Sequence, residues 1–282
     1  MDNIELSQIE PELDEGKEPK SEEDDLIKNI YRTVCSLVQH GGISFADSQL
    51  LLKLKKSPKL CKALVTNEKD PDDPHTSGMT MLHLACQEGL LKCVKYLNKL
   101  NPQTISHLST AQWTPLMQAC EAGHKPVIRY LCEGQAELLL NVTEHGSAMH
   151  SAITGRNPLE IVKILVDLIN QQESVTLIVP ETPSHDSDES TKKLVNLADK
   201  SGVRPLYLAC HTGDTKTVSF LLKCGADPWL ARTREASVLH VCAERDFQEI
   251  CQLIVEVAPK QLLYELDSEK NTALHTAAEW DN

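Results

Sequence analysis

Apolar and polar residues recur along this chain in one phrase that returns at a nearly constant interval. The phrase is clearest in GMTMLHLACQEG, which begins at Gly78. Its related copies place the following residues at the equivalent position: His83, Met117, His150, Tyr207, His240 and His275. These positions lie 34, 33, 57, 33 and 35 residues apart, so the longest interval is one period with inserted residues. A period of this size indicates stacked structural repeats.

A second apolar phrase follows each copy, with its apolar residues three and four positions apart. Examples are LLKCVKYLNKL after Gly89 and HKPVIRYLCEG after Gly123. This spacing places the apolar side chains on one face of a helix. Each unit is therefore predicted to be a short helix, a tight turn marked by glycine and a second helix, followed by a loop.

These phrases resemble the ankyrin repeat over about residues 75–282. The match is closest between Gly202 and Asp227, where Pro205, Gly213 and the closing Gly-Ala-Asp all fit. The resemblance implies an all-α ankyrin solenoid with repeats 1–3 over residues 75–170 and repeats 4–6 over residues 194–282. It departs from the family pattern where another residue replaces the histidine or the loop glycine, at Met117, Tyr207, Gln112 and Glu235.

The threonines and histidines of the phrase are interpreted as structural. A threonine that begins a helix can accept a hydrogen bond from free backbone N–H groups, and the resemblance implies that the histidine ties its loop to the neighbouring loop. The residues of this structural signature are Thr80, His83, Thr114, Pro115, His150, Pro205, Gly213, His240, Thr272 and His275. A catalytic role is disfavoured, because a nucleophile and its base must meet in one pocket and these residues recur at equal pitch.

Two segments lie before the first phrase. Residues 1–23 are acidic and poor in aromatic residues, which predicts disorder. Residues 24–74 are predicted to form three short helices, in DLIKNIYRTVCSLVQ before Gly41-Gly42, in SFADSQLLLKL and in SPKLCKALV. They suit a degenerate repeat that caps the stack. A partner-binding helix over residues 24–39 is the alternative.

The inserted residues 171–193 are acidic and rich in serine, threonine and proline. Such a long loop is expected to be functional or disordered. Thr182-Pro183 and Ser187-Asp188-Glu189 resemble kinase acceptor sites, so regulated phosphorylation is one hypothesis for this insertion.

The net charge of −13 is concentrated in the flanking segments. Residues 1–25 contribute −9 and residues 171–193 contribute −3, which leaves the repeats nearly neutral. This balance argues against a nucleic-acid surface, which needs clustered lysine and arginine. The sequence has no signal peptide and no apolar run long enough to span a membrane.

The ten cysteines are scattered without a Cys-x-x-Cys pair, which indicates a reducing, cytoplasmic compartment. Four fall in first helices and are predicted to be buried, namely Cys86, Cys120, Cys210 and Cys242. The other six are predicted to be less constrained. No cofactor site, metal site or catalytic constellation is expected, so the chain is predicted not to be an enzyme.

The predicted function is binding of another protein, because stacked repeats present an extended concave surface. Candidate contacts at exposed first-helix positions are Gln118, Glu121, His211, Glu244 and Arg245. Trp113 and Trp229 lie at loop positions, where each is either an aromatic anchor for the partner or packed onto the next loop.

Two other function classes stay open. LLYELDSEKNTALHTAAE is similar to loop-to-helix junctions in the cytosolic ankyrin stack of A-type transient receptor potential channels, which would make the chain a channel's regulatory region. The stack could also target a larger enzyme. The sixth phrase stops at Asn282 before its second helix, so the chain is expected to be part of a longer stack that continues into a membrane or catalytic domain or ends as an adaptor.

Overall fold

Helices account for the regular structure of this protein. The computed structural model describes residues 30–57, 59, 61, 78–176, 186–231, 233 and 236–280. These residues contain no β-strand; an isolated antiparallel bridge joins Thr143 and Gly146. The all-α fold that the sequence predicts is thereby confirmed. The predicted disorder of residues 1–23 lies outside the described residues.

The N-terminal helix α1 (Ile30–Lys56) is bent at Gly42. Gly42 has φ 73° and ψ 170°, a backbone conformation that interrupts the helix and that glycine adopts without a Cβ penalty. The two segments match the first two helices predicted before the repeats. Residues 24–29, and most of the third predicted helix in SPKLCKALV, lie outside the described residues.

After α1, the described residues contain five helix pairs, one helix that begins within the insertion and one last helix. The first helix of each unit is short and the second is amphipathic, because only its apolar face meets the core. The pairs are α2 (Met81–Gln87) with α3 (Leu91–Leu100), α4 (Pro115–Ala122) with α5 (Lys125–Cys132), α6 (Ala148–Thr154) with α7 (Pro158–Thr176), α9 (Pro205–Thr212) with α10 (Thr215–Lys223), and α11 (Val238–Glu244) with α12 (Gln248–Val257). The last helix is α13 (Ala273–Glu279). Short 3₁₀ turns over Pro102–Ser106, Ala136–Leu139 and Lys260–Tyr264 lead into three of the loops.

The helices stack in two rows. First helices contact one another in the order α2, α4, α6, α9, α11 and α13, and second helices contact in the order α3, α5, α7, α10 and α12. The N-terminal helix α1 packs on α3 at the start of the second row. Each unit therefore contacts its neighbours in the stack, and one apolar core runs through them all.

The insertion is more ordered at both ends than the sequence indicates. Helix α7 continues to Thr176, and a further helix, α8 (Asp186–Val195), packs against it. The expectation of a structureless loop is therefore wrong for residues 171–176 and 186–193, and α8 buries Leu194 and Val195 just beyond them. Thr182 and Pro183 lie outside the described residues, and the phosphorylation hypothesis stays a prediction.

Candidate functional site

In four of the repeats, the loop before the first helix is joined to the helix by a serine or threonine and a histidine. Thr80 is the N-cap of α2, and its hydroxyl oxygen accepts from the His83 backbone N–H at 3.5 Å. The Thr80 backbone N–H in turn donates to His83 Nδ1 at 3.2 Å. Because Nδ1 accepts, the ring proton lies on Nε2, which donates to the Trp113 carbonyl of the next loop at 3.0 Å. His83 therefore connects two successive repeats.

The same arrangement recurs along the stack. His150 Nε2 donates to the Val203 carbonyl at 3.1 Å, and His240 Nε2 donates to the Asn271 carbonyl at 3.0 Å. Each acceptor immediately precedes the N-cap residue of the next first helix. His275 makes the contact with Thr272, and its ring is exposed.

The repeats without this histidine use other contacts. Met117 is buried, and its Sδ accepts a weak hydrogen bond from the Thr143 hydroxyl at 3.8 Å. The Thr114 hydroxyl accepts from the Met117 backbone N–H, which caps α4. Pro115 and Pro205 occupy the first positions of α4 and α9, where the missing N–H leaves no bond unmade.

Burial favours the neutral form of His83 and His150. It lowers the pKa of His83 to about 4, and it also lowers the pKa of His150, because a charged ring loses its hydration inside the stack. Both ring nitrogens of each residue are used in structural hydrogen bonds. These histidines are therefore occupied by the fold.

A second connection between repeats lies at the glycine turns. His124 Nε2 donates to the Gln87 carbonyl at 2.9 Å, and its ring lies against Gly89 so closely that a Cβ there would be 2.5 Å from Nδ1. The Phe247 ring lies against Gly213 in the same way, and a Cβ at Gly213 would be 2.7 Å from Phe247 Cζ. Both glycines also have positive φ angles. The sequence predicted that these glycines form turns, but it did not predict the aromatic rings that pack against them.

Four of the five candidate contact residues on first helices are exposed. They are Glu121, His211, Glu244 and Arg245. Arg245 Nη2 donates to His211 Nε2 at 2.8 Å across adjacent repeats. The prediction for Gln118 is wrong, because its side chain is only 6% exposed. Helix α4 is covered on both sides by α2 and α6, and Gln118 lies within that packing.

Both candidate tryptophans are half-buried. The Trp113 ring lies 5.3 Å from the His145 ring of the next loop, between ring centroids. Trp229 packs against the hydrophobic core, and its backbone N–H donates to Asp227 Oδ1 at 2.9 Å. These contacts favour the packing role over the anchor role for both residues.

All ten cysteines are free thiols. The four in first helices are buried, as the repeat pattern predicts. Cys93 and Cys132 were expected to be less constrained, but both are buried in second helices. Burial raises the pKa of Cys132 to about 12, so its thiol stays protonated at neutral pH. Cys35, Cys61, Cys224 and Cys251 are half-buried.

The described part of the chain lacks both a metal-binding cluster and a membrane-spanning helix. There, no group of three or more histidine, cysteine, aspartate or glutamate side chains is placed to hold a metal ion. None of the described helices has the length and apolar character needed to cross a membrane.

Comparison with known proteins agrees with the repeat pattern. A family model described as ankyrin repeats (3 copies) matches residues 50–141, 99–176 and 206–282. Human protein phosphatase 1 regulatory subunit 27 is 44% identical over 57 residues, covering 20% of this chain and 36% of that protein.

Two longer matches have lower identity. The probable E3 ubiquitin-protein ligase XBOS32 of Oryza sativa subsp. japonica is 29% identical over 158 residues, 51% of this chain and 30% of that protein. The phosphocholine transferase AnkX of Legionella pneumophila is 24% identical over 256 residues, 89% of this chain and 24% of that protein. The matched region thus spans about a third or less of each of these relatives.

Proposed function

Because the chain belongs to the ankyrin-repeat family, whose repeats are protein-interaction modules, we propose that it is a scaffold that binds another protein along its row of first helices. The observation that carries this proposal is the position of Glu121, His211 and Glu244. Each lies four residues after the histidine position of its repeat, and each is exposed near the C-terminal end of its helix. They form a polar row that the core does not use.

The chemistry of this row suits a polar protein partner. Glu121 and Glu244 supply carboxylates, and Arg245 supplies a guanidinium next to His211. Such groups give a partner's register and orientation more than raw affinity. We propose that this part of the chain is non-catalytic and acts in the cytoplasm, since its ten free thiols suit a reducing compartment.

A variant of the row tests the proposal. Glu121, Glu244 and Arg245 are each replaced by alanine, and proteins captured from a cell extract by the immobilised full chain are quantified. The matched control replaces Glu133, Glu256 and Arg129, which are exposed on or beside second helices and remove the same net charge. Partners that bind the row should be lost from the first variant and retained by the control. Equal capture by all three proteins contradicts the proposal.

A second candidate is that the stack targets a larger enzyme. It is favoured by XBOS32 and AnkX, which are named as a ligase and a transferase and in which the matched region is a minor part. The channel hypothesis stays a prediction from the resemblance near Tyr264. Sequencing the transcript beyond the codon for Asn282 distinguishes these cases.

A further inference from the structure

An open cleft lies between three successive loops of the C-terminal half of the stack. Its volume is about 630 Å³, a size typical of ligand-binding clefts. It is lined by residues of the loops before α9, α11 and α13, among them Lys200, Arg204, Thr233, Ser237 and Glu265. This cleft is separate from the row of first-helix residues described above.

Arg204 is the unusual residue of this cleft. It is the N-cap of α9, a position that serine or threonine occupies before α2, α4, α6, α11 and α13. Its side chain makes no capping hydrogen bond, and its Nε atom is buried without a hydrogen-bond partner. No salt bridge found in the described residues involves Arg204. Helix α9 therefore lacks a capping side chain, and the Arg204 Nε atom has no hydrogen-bond partner.

Three described carboxylates of the loops before α9 and α13 have interactions of their own. Asp199 Oδ1 accepts from the backbone N–H groups of Ser201 and Val203, both at 2.8 Å. Asp267 Oδ1 accepts in the same way from Glu269 and Asn271. Glu265 lies on the cleft wall and has an interaction of its own. Asp199 and Asp267 thus stabilise their own turns, and the charge of Arg204 remains available to a ligand.

Lys200 adds a second positive charge at the rim. It pairs with Glu144 of an earlier loop at 3.3 Å, and both side chains are well exposed. Such a surface pair contributes little and exchanges readily with a competing carboxylate. Planar guanidinium groups bind carboxylates through two parallel hydrogen bonds, which makes Arg204 the stronger of the two recognition groups.

We propose that this cleft binds an acidic segment of the partner protein, with an aspartate or glutamate carboxylate on the Arg204 guanidinium and a second near Lys200. The inference rests on the proposed protein-binding function and adds the chemistry of one segment of the partner. The positive charges of Lys200 and Arg204 are complementary to the carboxylates of such a peptide.

Binding of a fluorescein-labelled hexaglutamate peptide to the full chain tests the cleft directly. Fluorescence anisotropy at low ionic strength measures the affinity. Arg204→Thr introduces the residue found at the equivalent N-caps, so the variant should fold, and it should weaken binding by about tenfold or more. Lys216→Thr is the matched control, because it removes one positive charge from the exposed start of α10. It should leave the affinity within about twofold of the original.

Further arms identify the ligand chemistry. Arg204→Lys keeps the charge without the fork and should bind with intermediate affinity, and thermal melting confirms that each variant is folded. The proposal that the cleft binds an acidic segment is contradicted if hexaglutamate does not bind. It is also contradicted if Arg204→Thr and Lys216→Thr weaken binding equally. Displacement of the peptide by inorganic phosphate at lower concentration than by glutarate overturns the carboxylate assignment.

The two proposals fail separately. If hexaglutamate binding does not depend on Arg204 but partner capture still depends on the first-helix row, the cleft alone is wrong. If capture is unaffected by the row variant while hexaglutamate binding follows Arg204, the row alone is wrong.

Discussion

A buried histidine that connects two repeats must be neutral. His83 accepts a backbone N–H at Nδ1 and donates to a carbonyl from Nε2, and a second proton would place two donors face to face at Nδ1. The sequence predicted this role from the recurrence of the phrase and its resemblance to a known family. It did not predict that Trp113 supplies the acceptor, because that contact joins residues 30 positions apart.

The stability of the protein should fall in acid through His83. Its pKa is about 4 in the folded protein and 6.5 without burial, so the unfolded chain binds more protons between these values. The stabilising effect of neutral His83 is complete above pH 6.5 and is lost as the pH falls toward 4, by about 3 kcal/mol in total. Urea unfolding of the original and His83→Gln proteins should show a shallower pH dependence for the variant. Parallel curves would contradict this assignment.

At the scale of helices, the sequence features that correctly predicted structure were local. Thr80, Thr114 and Pro205 mark the starts of first helices as predicted, because caps and N1 prolines act within one turn. Contacts between distant elements were missed. Gln118 was predicted to be exposed from its place in one helix, and packing of two neighbouring helices buries it.

Asp47 is the clearest of the missed contacts. Helix α3 has no side-chain cap of its own, and the Asp47 carboxylate from α1 accepts from the backbone N–H groups of Lys92 and Cys93 at 2.8 and 2.9 Å. An aspartate 46 residues away in sequence thus caps the helix and attaches the N-terminal helix to the first repeat.

Replacing Asp47 should therefore destabilise the N-terminal end of the stack. Asp47→Ala leaves two buried or half-buried N–H groups without acceptors, which costs about 1–3 kcal/mol. Ser48→Ala is the matched control, because the half-buried Ser48 hydroxyl donates to the Ser44 carbonyl and accepts from the flexible Lys92 Nζ but caps no helix. Chemical denaturation followed by circular dichroism measures both. Equal stability of the two variants would show that water replaces the carboxylate without cost.

Helix α8 includes the C-terminal part of the insertion and ends in buried apolar residues. Composition predicted a loop over residues 171–193, but α8 continues from these acidic residues into a short apolar end at Leu194 and Val195, just beyond the insertion. Leu194→Ala should cost about 2–5 kcal/mol, the usual cost of truncating a fully buried leucine. Lys193→Ala, at an exposed position of the same helix, should have little effect. A neutral Leu194→Ala variant would mean that α8 does not contribute to the core.

At the scale of the whole molecule, the period of the sequence predicted more than any single motif. The 57-residue interval was interpreted as one period plus an insertion. The structure agrees, because α6 contacts α9 and α7 contacts α10 directly while α8 packs on α7. What the period cannot supply is the chemistry of individual loops, such as an arginine in place of a capping threonine at Arg204.

A stack whose units contact their neighbours should not be equally stable along its length. Helix α4 lies between α2 and α6 and has six buried residues from Pro115 to Cys120. Helix α13 packs on α11 and buries only Thr276, while Leu274 is 76% exposed. Opening α13 therefore disrupts few apolar contacts.

Amide hydrogen exchange should follow this difference in packing. The amides of Thr276–Glu279 should exchange at least about 100-fold faster than those of the centre of α4, because local opening needs far less free energy than global unfolding. Leu274→Ala should leave the melting temperature unchanged, whereas Leu239→Ala, at a buried position of α11, should lower it. Exchange measured by mass spectrometry on the full chain decides the matter. Equal protection of α4 and α13 would mean that the stack opens as one cooperative unit, and that the contact between α11 and α13 is as strong as those at the centre.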